Sequence, residues 1–202
     1  MKDIYLIGGG GHCRSCIDVI ESMGTFKIKG IFDTQLEKGK SILGYKVLGD
    51  DESISNICPP GFSAIVTLGQ IKNSESRLMI YKKLLSLGAN LETIISKKAY
   101  VSSHASIGSG SIVMHGAIVN ASAKIKENCI INSKALVEHD AIIEAHTHIS
   151  TGSNVNGGVT IGERVFIGSN STVKNNIKIG HQSIIGAGQI VLDDLPPFSI
   201  IK

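Results

Sequence analysis

A histidine between two carboxylates, Glu138-His139-Asp140, is the arrangement in this 202-residue sequence best suited to acid–base chemistry. Histidine accepts a proton near neutral pH, and an adjacent carboxylate can hold its tautomer and stabilise the imidazolium that forms. Either Glu138 or Asp140 could be that carboxylate. Other histidines have no such neighbours: His104, His115 and His181. The pattern predicts His139 as a general base, and a polar exposed surface is the alternative interpretation.

A run of glycines, Gly8-Gly9-Gly10-Gly11-His12, follows the apolar stretch Tyr5 to Ile7 and precedes an amphipathic segment. Between a strand and a helix, such a loop lets backbone N–H groups at the helix N-terminus face a phosphate. A second strand, Lys27 to Phe32, ends in Asp33, where Rossmann-type units place the carboxylate that binds a ribose hydroxyl. The pattern predicts nucleotide binding, with a purely structural glycine turn as the alternative.

Two cysteines at the start of that amphipathic segment, Cys13 and Cys16, restrict the kind of site that can form. Cys13 stands where the dinucleotide fingerprint would have its third glycine, which disfavours a nicotinamide cofactor. The pair has the spacing of a dithiol or half a zinc site, but no second pair completes a tetrahedron. Packing on a helix face is therefore favoured, and no metal is expected.

The remaining N-terminal segments continue an α/β pattern. A buried strand from Ser63 to Leu68 leads to Gly69 and Gln70, at the sheet edge where open α/β folds bind ligands. Asn73-Ser74 is a candidate cap for the following helix, and Leu91 to Ile95 reads as a last strand. These segments predict a Rossmann-like nucleotide-sugar-binding domain over residues 1–95.

From residue 96 the sequence changes to a six-residue repeat. An aliphatic side chain recurs at every sixth position, preceded two residues earlier by a mostly small one; the positions are Val101, Ile107, Val113, Val119, Ile125, Ile131, Val137, Ile143, Ile149, Val155, Ile161, Ile167, Val173, Ile179, Ile185 and Val191. Neither a helical nor an alternating strand period fits this spacing. It predicts a parallel β-helix over residues 96–202, with three hexads closing each triangular coil.

Composition narrows the partners. A formal charge of +3 without a dense Lys/Arg block disfavours nucleic acid, and small anionic substrates remain compatible. The sequence has no apolar run long enough for a bilayer and no secretory signal, so we expect a cytoplasmic protein without membrane insertion and with reduced cysteines. Because a prism without insertions has smooth faces, a buried site needs a groove between copies of the chain. We therefore predict a homotrimer with active sites between subunits.

These residues together resemble a family. The hexads resemble the left-handed β-helix of hexapeptide acyltransferases, an exception to right-handed crossovers. More narrowly, four segments resemble the bacterial sugar O-acyltransferases of the sialic-acid cluster and the bacillosamine-pathway aminosugar N-acetyltransferase: the run from Leu6 to His12, Phe32-Asp33, Gly69-Gln70, and the run from Asn132 to Asp140 followed by His148 to Gly152. The resemblance covers essentially the whole chain.

The resemblance implies a trimeric enzyme that transfers acetyl from acetyl-CoA to a nucleotide-linked aminosugar, typically a UDP-4-amino-4,6-dideoxy sugar. By that resemblance His12 and Asp33 hold the UDP part together with the glycine loop, and His139 is the base beside Asp140. His148 lies near the thioester or the sugar. Backbone groups that meet coenzyme A are implied at three positions: Gly157, Gly168 and Ala187. Ala187 stands where a relative has glycine, and the chain ends at Phe198 to Lys202 without the Pro-Ala-Lys-type tail of such enzymes.

The mechanism expected is direct transfer with His139 as base and a backbone N–H, such as that of Gly157, on the oxyanion. Three other functions remain open on the sequence. O-acetylation of a sialic acid-type sugar would use the same base, and a nucleotide-sugar-binding scaffold would use only the N-terminal domain. A nicotinamide oxidoreductase would need a hydride acceptor site that the sequence does not locate.

Overall fold

The computed structural model describes residues 1–71 and 74–202 and contains an α/β domain followed by a β-helix. Elements are numbered in chain order. The α/β domain contains strands β1 (Lys2–Ile7), β2 (Phe26–Phe32), β3 (Ser41–Ile42), β4 (Tyr45–Gly49), β5 (Ser63–Val66) and β6 (Asn90–Leu91), with helices α1 (Gly11–Met23), α2 (Ile54–Ile57) and α3 (Glu75–Ser86). The strand order is β3-β4-β2-β1-β5-β6, with β1 parallel to both β2 and β5. This topology is the predicted Rossmann-like α/β arrangement.

Helix α1 forms directly after the glycine loop and lies between the sheet and the β-helix. Gly10 occupies its N-cap position without a side-chain cap, and Gly24 ends it in the left-handed conformation at φ 66°. The buried face of α1 carries Cys13, Cys16 and Ile17, which pack with Ile94 and Ile112 of the β-helix. Helix α3 packs on the opposite side of the sheet. One side of the α/β sheet is therefore tied to the β-helix through α1.

The β-helix consists of two-residue strands on three faces. The first face contains β7 (Ile94–Ile95), β10 (Ile112–Val113), β13 (Ile130–Ile131), β16 (His148–Ile149), β19 (Phe166–Ile167), β22 (Ile184–Ile185) and β24 (Ile200–Ile201). The second contains β8 (Tyr100–Val101), β11 (Ile118–Val119), β14 (Leu136–Val137), β17 (Asn154–Val155), β20 (Thr172–Val173) and β23 (Ile190–Val191). The third contains β9 (Ser106–Ile107), β12 (Lys124–Ile125), β15 (Ile142–Ile143), β18 (Thr160–Ile161) and β21 (Lys178–Ile179).

Parallel pairing joins residues one coil apart, as in Ile112 with Ile130, and this register confirms three hexads per coil. The repeating aliphatic side chains fill the interior, and most are fully buried. Small polar residues near the corners bond to the carbonyl of the following coil: the Ser153 hydroxyl donates to Gly168 O at 2.7 Å and the Thr147 hydroxyl to Gly162 O at 2.8 Å. Each coil therefore satisfies buried polar groups of its neighbour.

Two N-terminal boundaries differ from the sequence prediction. The stretch from Leu91 to Ile95, predicted as one strand, is split: β6 closes the α/β sheet and β7 opens the β-helix. Ser74 occupies the N-cap position of α3 but makes no capping bond, and its hydroxyl accepts a hydrogen bond from Arg164 Nε at 2.8 Å. Asn73, the other predicted cap residue, lies outside the described residues. The domain division at residue 96 stays a prediction.

Candidate active site

His139 lies on the edge of the prism that joins the second and third faces, in the turn between β14 and β15. Its side chain is 63% exposed, and its Nδ1 lies 2.8 Å from Asp140 Oδ2. Glu138 points elsewhere: its Oε2 accepts the Asn120 side-chain amide at 2.9 Å and the His139 backbone N–H at 3.2 Å. Asp140 is therefore the carboxylate that orients the ring, and Glu138 braces the turn.

The pKa of His139 is raised above its ordinary value, mainly because the ring donates a hydrogen bond to the Asp140 carboxylate. A neutral ring donating Nδ1–H to this carboxylate leaves Nε2 as the free proton acceptor. The raised pKa makes Nε2 a stronger base than an isolated imidazole. The arrangement can accept a proton from an acceptor group that approaches the exposed edge.

Gly157 lies on the coil that follows that of His139, directly against the His139 ring. A Cβ at Gly157 would come within 2.6 Å of both Cε1 and Nε2 of His139, so only glycine leaves room for the ring in this position. The two coils are also joined by the Gly158 N–H, which donates to His139 O at 3.0 Å. The structure thus brings together four of the predicted residues: Glu138, His139, Asp140 and Gly157.

The glycine loop divides into a packed half and an open half. A Cβ at Gly8 would lie 2.6 Å from Leu68 Cδ2, and one at Gly9 would lie 2.6 Å from Leu36 Cδ1. In contrast, Cβ atoms at Gly10 and Gly11 would meet nothing within 4 Å. The first two glycines therefore allow close packing, while Gly10 and Gly11 are exposed where α1 begins, and the first N–H groups of a helix have no partner within it. An open helix N-terminus of this kind binds anions.

Asp33 lies beside the loop, as the sequence predicted, but its oxygens bind backbone groups. Oδ2 accepts the Gly9 N–H at 2.6 Å, and Oδ1 accepts the N–H groups of Gln35 and Leu36 at 2.8 and 3.0 Å. The carboxylate thus fixes the glycine loop onto the end of β2. Its predicted bond to a ribose hydroxyl stays a prediction.

Gln70 and His148 form a polar junction between the two domains. Gln70 is 3% exposed, donates its amide to His146 O at 2.9 Å, and accepts His148 Nδ1–H on its backbone oxygen at 2.6 Å. His148 is 5% exposed, its Nε2 accepts the Asn132 amide at 3.0 Å, and burial lowers its pKa to about 4. His148 is therefore a neutral ring bonded on both sides within its own chain. Its predicted role near the thioester or sugar stays a prediction.

His12 connects the glycine loop to this junction. Its ring centroid lies 6.5 Å from that of His148, and its β-carbon lies 3.5 Å from the place where a Cβ on Gly69 would be. Burial lowers its pKa to about 3, and its Nε2 has no hydrogen-bond partner among the described residues. Gly69, Gln70, His12 and the glycine loop thus share the carboxyl edge of the α/β sheet.

Gly168 and Ala187, predicted to meet coenzyme A, lie against each other on successive coils. A Cβ at Gly168 would lie 2.4 Å from the Gly186 carbonyl carbon and 2.5 Å from Ala187 N, so coil stacking by itself requires glycine at this position. Ala187 is exposed. Their contact with the coenzyme stays a prediction.

The predicted residues fall into two groups that a single chain does not bring together. The α/β domain packs on the first face of the β-helix through α1, and the glycine loop and Gln70 belong to that side. His139 lies on the edge formed by the other two faces. The predicted nucleotide-binding residues and the predicted base are thus on opposite sides of the prism.

The remaining chemical candidates take no part in either group. Burial raises the pKa of the Cys13 thiol to about 11 and that of Cys129 to about 12, so both are protonated packing groups. Across the described residues, no group of three or more His, Cys, Asp or Glu side chains could hold a metal ion. No described helix has the length and apolar character needed to cross a bilayer.

Sequence reasoning missed two arginines at the junction of the domains. Arg164 donates to Ser74 and pairs with Glu75 at the start of α3, beside a small recess that Gln70 and Phe166 also line. Arg77 is 1% exposed on α3 and donates to backbone carbonyls. A cation on the apolar face of an amphipathic helix is the signal that could have revealed Arg77.

Comparisons with known proteins agree with this architecture. The PglD N-terminal domain family matches residues 3–84, and the bacterial transferase hexapeptide family matches residues 158–188. The acetyltransferase domain of PglB from Neisseria gonorrhoeae is 31% identical, with 97% of this chain and 94% of that chain covered and a TM-score of 0.91. PerB from Caulobacter crescentus, in complex with CoA and GDP-perosamine, is 31% identical over 99% of this chain and 93% of that chain, with a TM-score of 0.91.

A protein from Acanthamoeba polyphaga mimivirus, L142, is 34% identical over 112 residues, and the match spans 54% of this chain but 21% of the viral protein. The two bacterial structures instead align over nearly their full length, with the same α/β domain and left-handed β-helix. On that identity and coverage, the chain belongs to the bacterial hexapeptide-repeat aminosugar acetyltransferases, which are acetyl-CoA-dependent enzymes.

Proposed function

We propose that this protein transfers the acetyl group of acetyl-CoA to the amine of a nucleotide-linked sugar, with a UDP-4-amino-4,6-dideoxy sugar as the first candidate. The observation that carries the proposal is the His139–Asp140 pair, whose free Nε2 lies over Gly157 on an exposed edge. The binding of CoA and GDP-perosamine by PerB supports the two substrate classes. The exposed start of α1 at Gly10 and Gly11 supports a phosphate-bearing acceptor.

The reaction proposed is a direct transfer. The sugar amine nitrogen attacks the thioester carbonyl carbon, the C–N bond forms, and the C–S bond breaks to release the thiolate of CoA. His139 Nε2 takes the proton that the amine loses, and Asp140 stabilises the imidazolium. The proton then passes to the departing thiolate or to solvent. A backbone N–H beside the ring, that of Gly157, stabilises the oxyanion as it develops.

The site is completed by a second copy of the chain. Because His139 lies on the edge away from the face that carries the α/β domain, a sugar held at the glycine loop meets the His139 of a neighbour and not that of its own chain. A homotrimer with parallel prisms provides this meeting three times. The exposed apolar side chains of the second face, Tyr100 and Ile118, suit such packing.

An acceptor panel tests the activity. Thiol release from acetyl-CoA is measured with UDP-, GDP- and dTDP-linked 4-amino sugars, and with the matching 4-hydroxy sugars as controls. We expect thiol release only with amines, and one nucleotide to give the lowest KM. Release with hydroxyl acceptors alone would contradict N-acetylation, and tight nucleotide binding without any release would favour a binding scaffold.

Mixing two inactive variants tests the shared site. Gly10→Val places a side chain in the open half of the loop and removes acceptor binding, while His139→Ala removes the base. If each site takes its loop and its base from different copies, co-expressed variants regain part of the wild-type rate, because mixed trimers contain some intact pairs. A mixture as inactive as either parent would place both groups in one chain.

The pH dependence gives a further prediction. Since His139 must be neutral to accept a proton, kcat/KM falls as the pH drops through its pKa, which Asp140 holds above the ordinary value. Asp140→Asn removes the charge while suiting the left-handed backbone at φ 59°. We expect the acid limb to move to lower pH and the rate to fall about tenfold, the loss of roughly one charged hydrogen bond. An unmoved limb would assign it to another group.

A further inference from the structure

Arg77 is a buried cation that no carboxylate in the described part of the chain neutralises. Its side chain is 1% exposed, and among the described residues it takes part in no ion pair. The titratable groups that bear most on it are Cys16 and Cys129, whose thiols burial keeps protonated. A charge removed from water without a partner is costly, so its retention calls for an explanation.

The guanidinium is held by backbone oxygens at the carboxyl edge of the sheet. Nη1 donates to Val66 O at 2.8 Å and to Leu68 O at 2.9 Å, and Nε reaches Asn128 O at 3.4 Å. Nη2 is buried and has no partner among the described residues. These contacts fix the position of the guanidinium, but all its partners are neutral carbonyl groups, so they supply no negative charge to balance it.

This position is directly behind the glycine loop. Val66 pairs with Ile7, the last residue before the loop, and the Thr67 hydroxyl donates to Gly8 O at 2.6 Å. Leu68 packs on Gly8, and Gly69 lies against His12. Two of the three residues that bind the guanidinium, Val66 and Leu68, therefore also support the loop. The charge of Arg77 also contributes to keeping His12 neutral.

We propose that Arg77 is the interior counter-charge for the diphosphate of the nucleotide-linked substrate, acting through the loop it supports and without touching the ligand. The proposal rests on the nucleotide binding proposed above. Phosphates at the exposed Gly10 and Gly11, where α1 begins, bring the missing negative charge to the side of the loop that faces solvent. Because the guanidinium is buried, salt ions approach only the phosphate side, so they screen this attraction less than they screen a pair of surface charges.

A charge series of ligands tests the assignment. Uridine, UMP and UDP, and the corresponding guanosine compounds, are titrated calorimetrically into wild type, Arg77→Lys and Arg77→Gln. Lysine keeps the charge but not the fork, and glutamine keeps an N–H donor but not the charge. We expect the preference for diphosphate over nucleoside to survive in the lysine variant. In the glutamine variant it falls by on the order of tenfold per ligand charge, the size expected for any two unit charges on the order of 10 Å apart at an effective dielectric constant of about 20.

The other outcomes overturn the proposal in distinguishable ways. If Arg77→Gln weakens the binding of nucleoside and diphosphate equally, Arg77 has only a structural role. If Arg77→Lys loses the preference for diphosphate as much as Arg77→Gln does, the planar guanidinium geometry matters and not the charge. If neither variant folds, wild type decides, because the preference for diphosphate should persist, although reduced, at about 0.15 M NaCl, where the Debye length is about 8 Å, and its disappearance there overturns the counter-charge. A wild type that binds none of the nucleotides overturns the proposed function as well.

Discussion

Replacing His139 with alanine is expected to lower kcat by roughly 10²–10⁴, the usual range for loss of a general base. The ring is bonded to Asp140, and its Nε2 has no other partner in the described structure, so the substitution removes the proton acceptor and little else. Because the side chain is exposed, the fold should keep its stability. Steady-state thiol release and thermal denaturation measure the two quantities.

A second histidine provides the matched control. His181 occupies the same position in its hexad as His139, is also exposed, and has no adjacent carboxylate. His181→Ala should therefore retain nearly the wild-type kcat. A His139→Ala enzyme with full turnover would remove this histidine from the mechanism. A residual rate that rises with pH would instead show the amine losing its proton to solvent.

Gly157→Ala is expected to lower kcat by about 10²-fold, because displacing a catalytic group by about 1 Å has effects of that size. The added Cβ would lie 2.6 Å from Cε1 and Nε2 of His139, so the ring must move. The backbone itself accepts alanine, since Gly157 does not have a positive φ and equivalent hexad positions hold Thr151 and Glu163. Stopped-time assays and a melting curve separate the loss of rate from any loss of stability.

A double-mutant cycle tells whether that effect passes through the ring. In the His139→Ala background, Gly157→Ala should lower the residual rate little, because no ring remains to be displaced. A full additional loss in the double variant would show that the alanine instead disturbs the oxyanion donor or the thioester. Either result identifies which group Gly157 serves.

The repeat predicted the β-helix well because its period is set by backbone geometry. The aliphatic residue at every sixth position packs in the interior, and no local turn preference competes with the stacking of coils. The glycine loop likewise predicted the start of α1, since a helix N-terminus that follows a strand is a local feature. Of the site, the turn from Glu138 to Asp140 was visible because its three residues are adjacent in sequence.

Contacts between the two domains could not be foreseen from sequence. Gln70 was predicted at the sheet edge, but its bonds to His146 and His148 depend on how the sheet sits on the β-helix. The same packing buries His148. It also places Arg164 where it donates a hydrogen bond to the Ser74 hydroxyl, which makes no capping bond to α3. The division of work between Glu138 and Asp140 was also open, because it depends on which side chain reaches Asn120 on the preceding coil.

The pairing of Ile112 with Ile130 has a consequence for how the chain can change in length. Inserting or deleting one whole coil of 18 residues would lengthen or shorten the β-helix, and every later side chain would stay on the same face of the prism. Inserting or deleting a single hexad would keep the aliphatic residues in the interior. All later residues would, however, be rotated by one third of a turn about the axis of the β-helix. If a single hexad were inserted after His146, which binds Gln70, the β-helix would still be well packed. The side chains of all later coils would, however, face different neighbours.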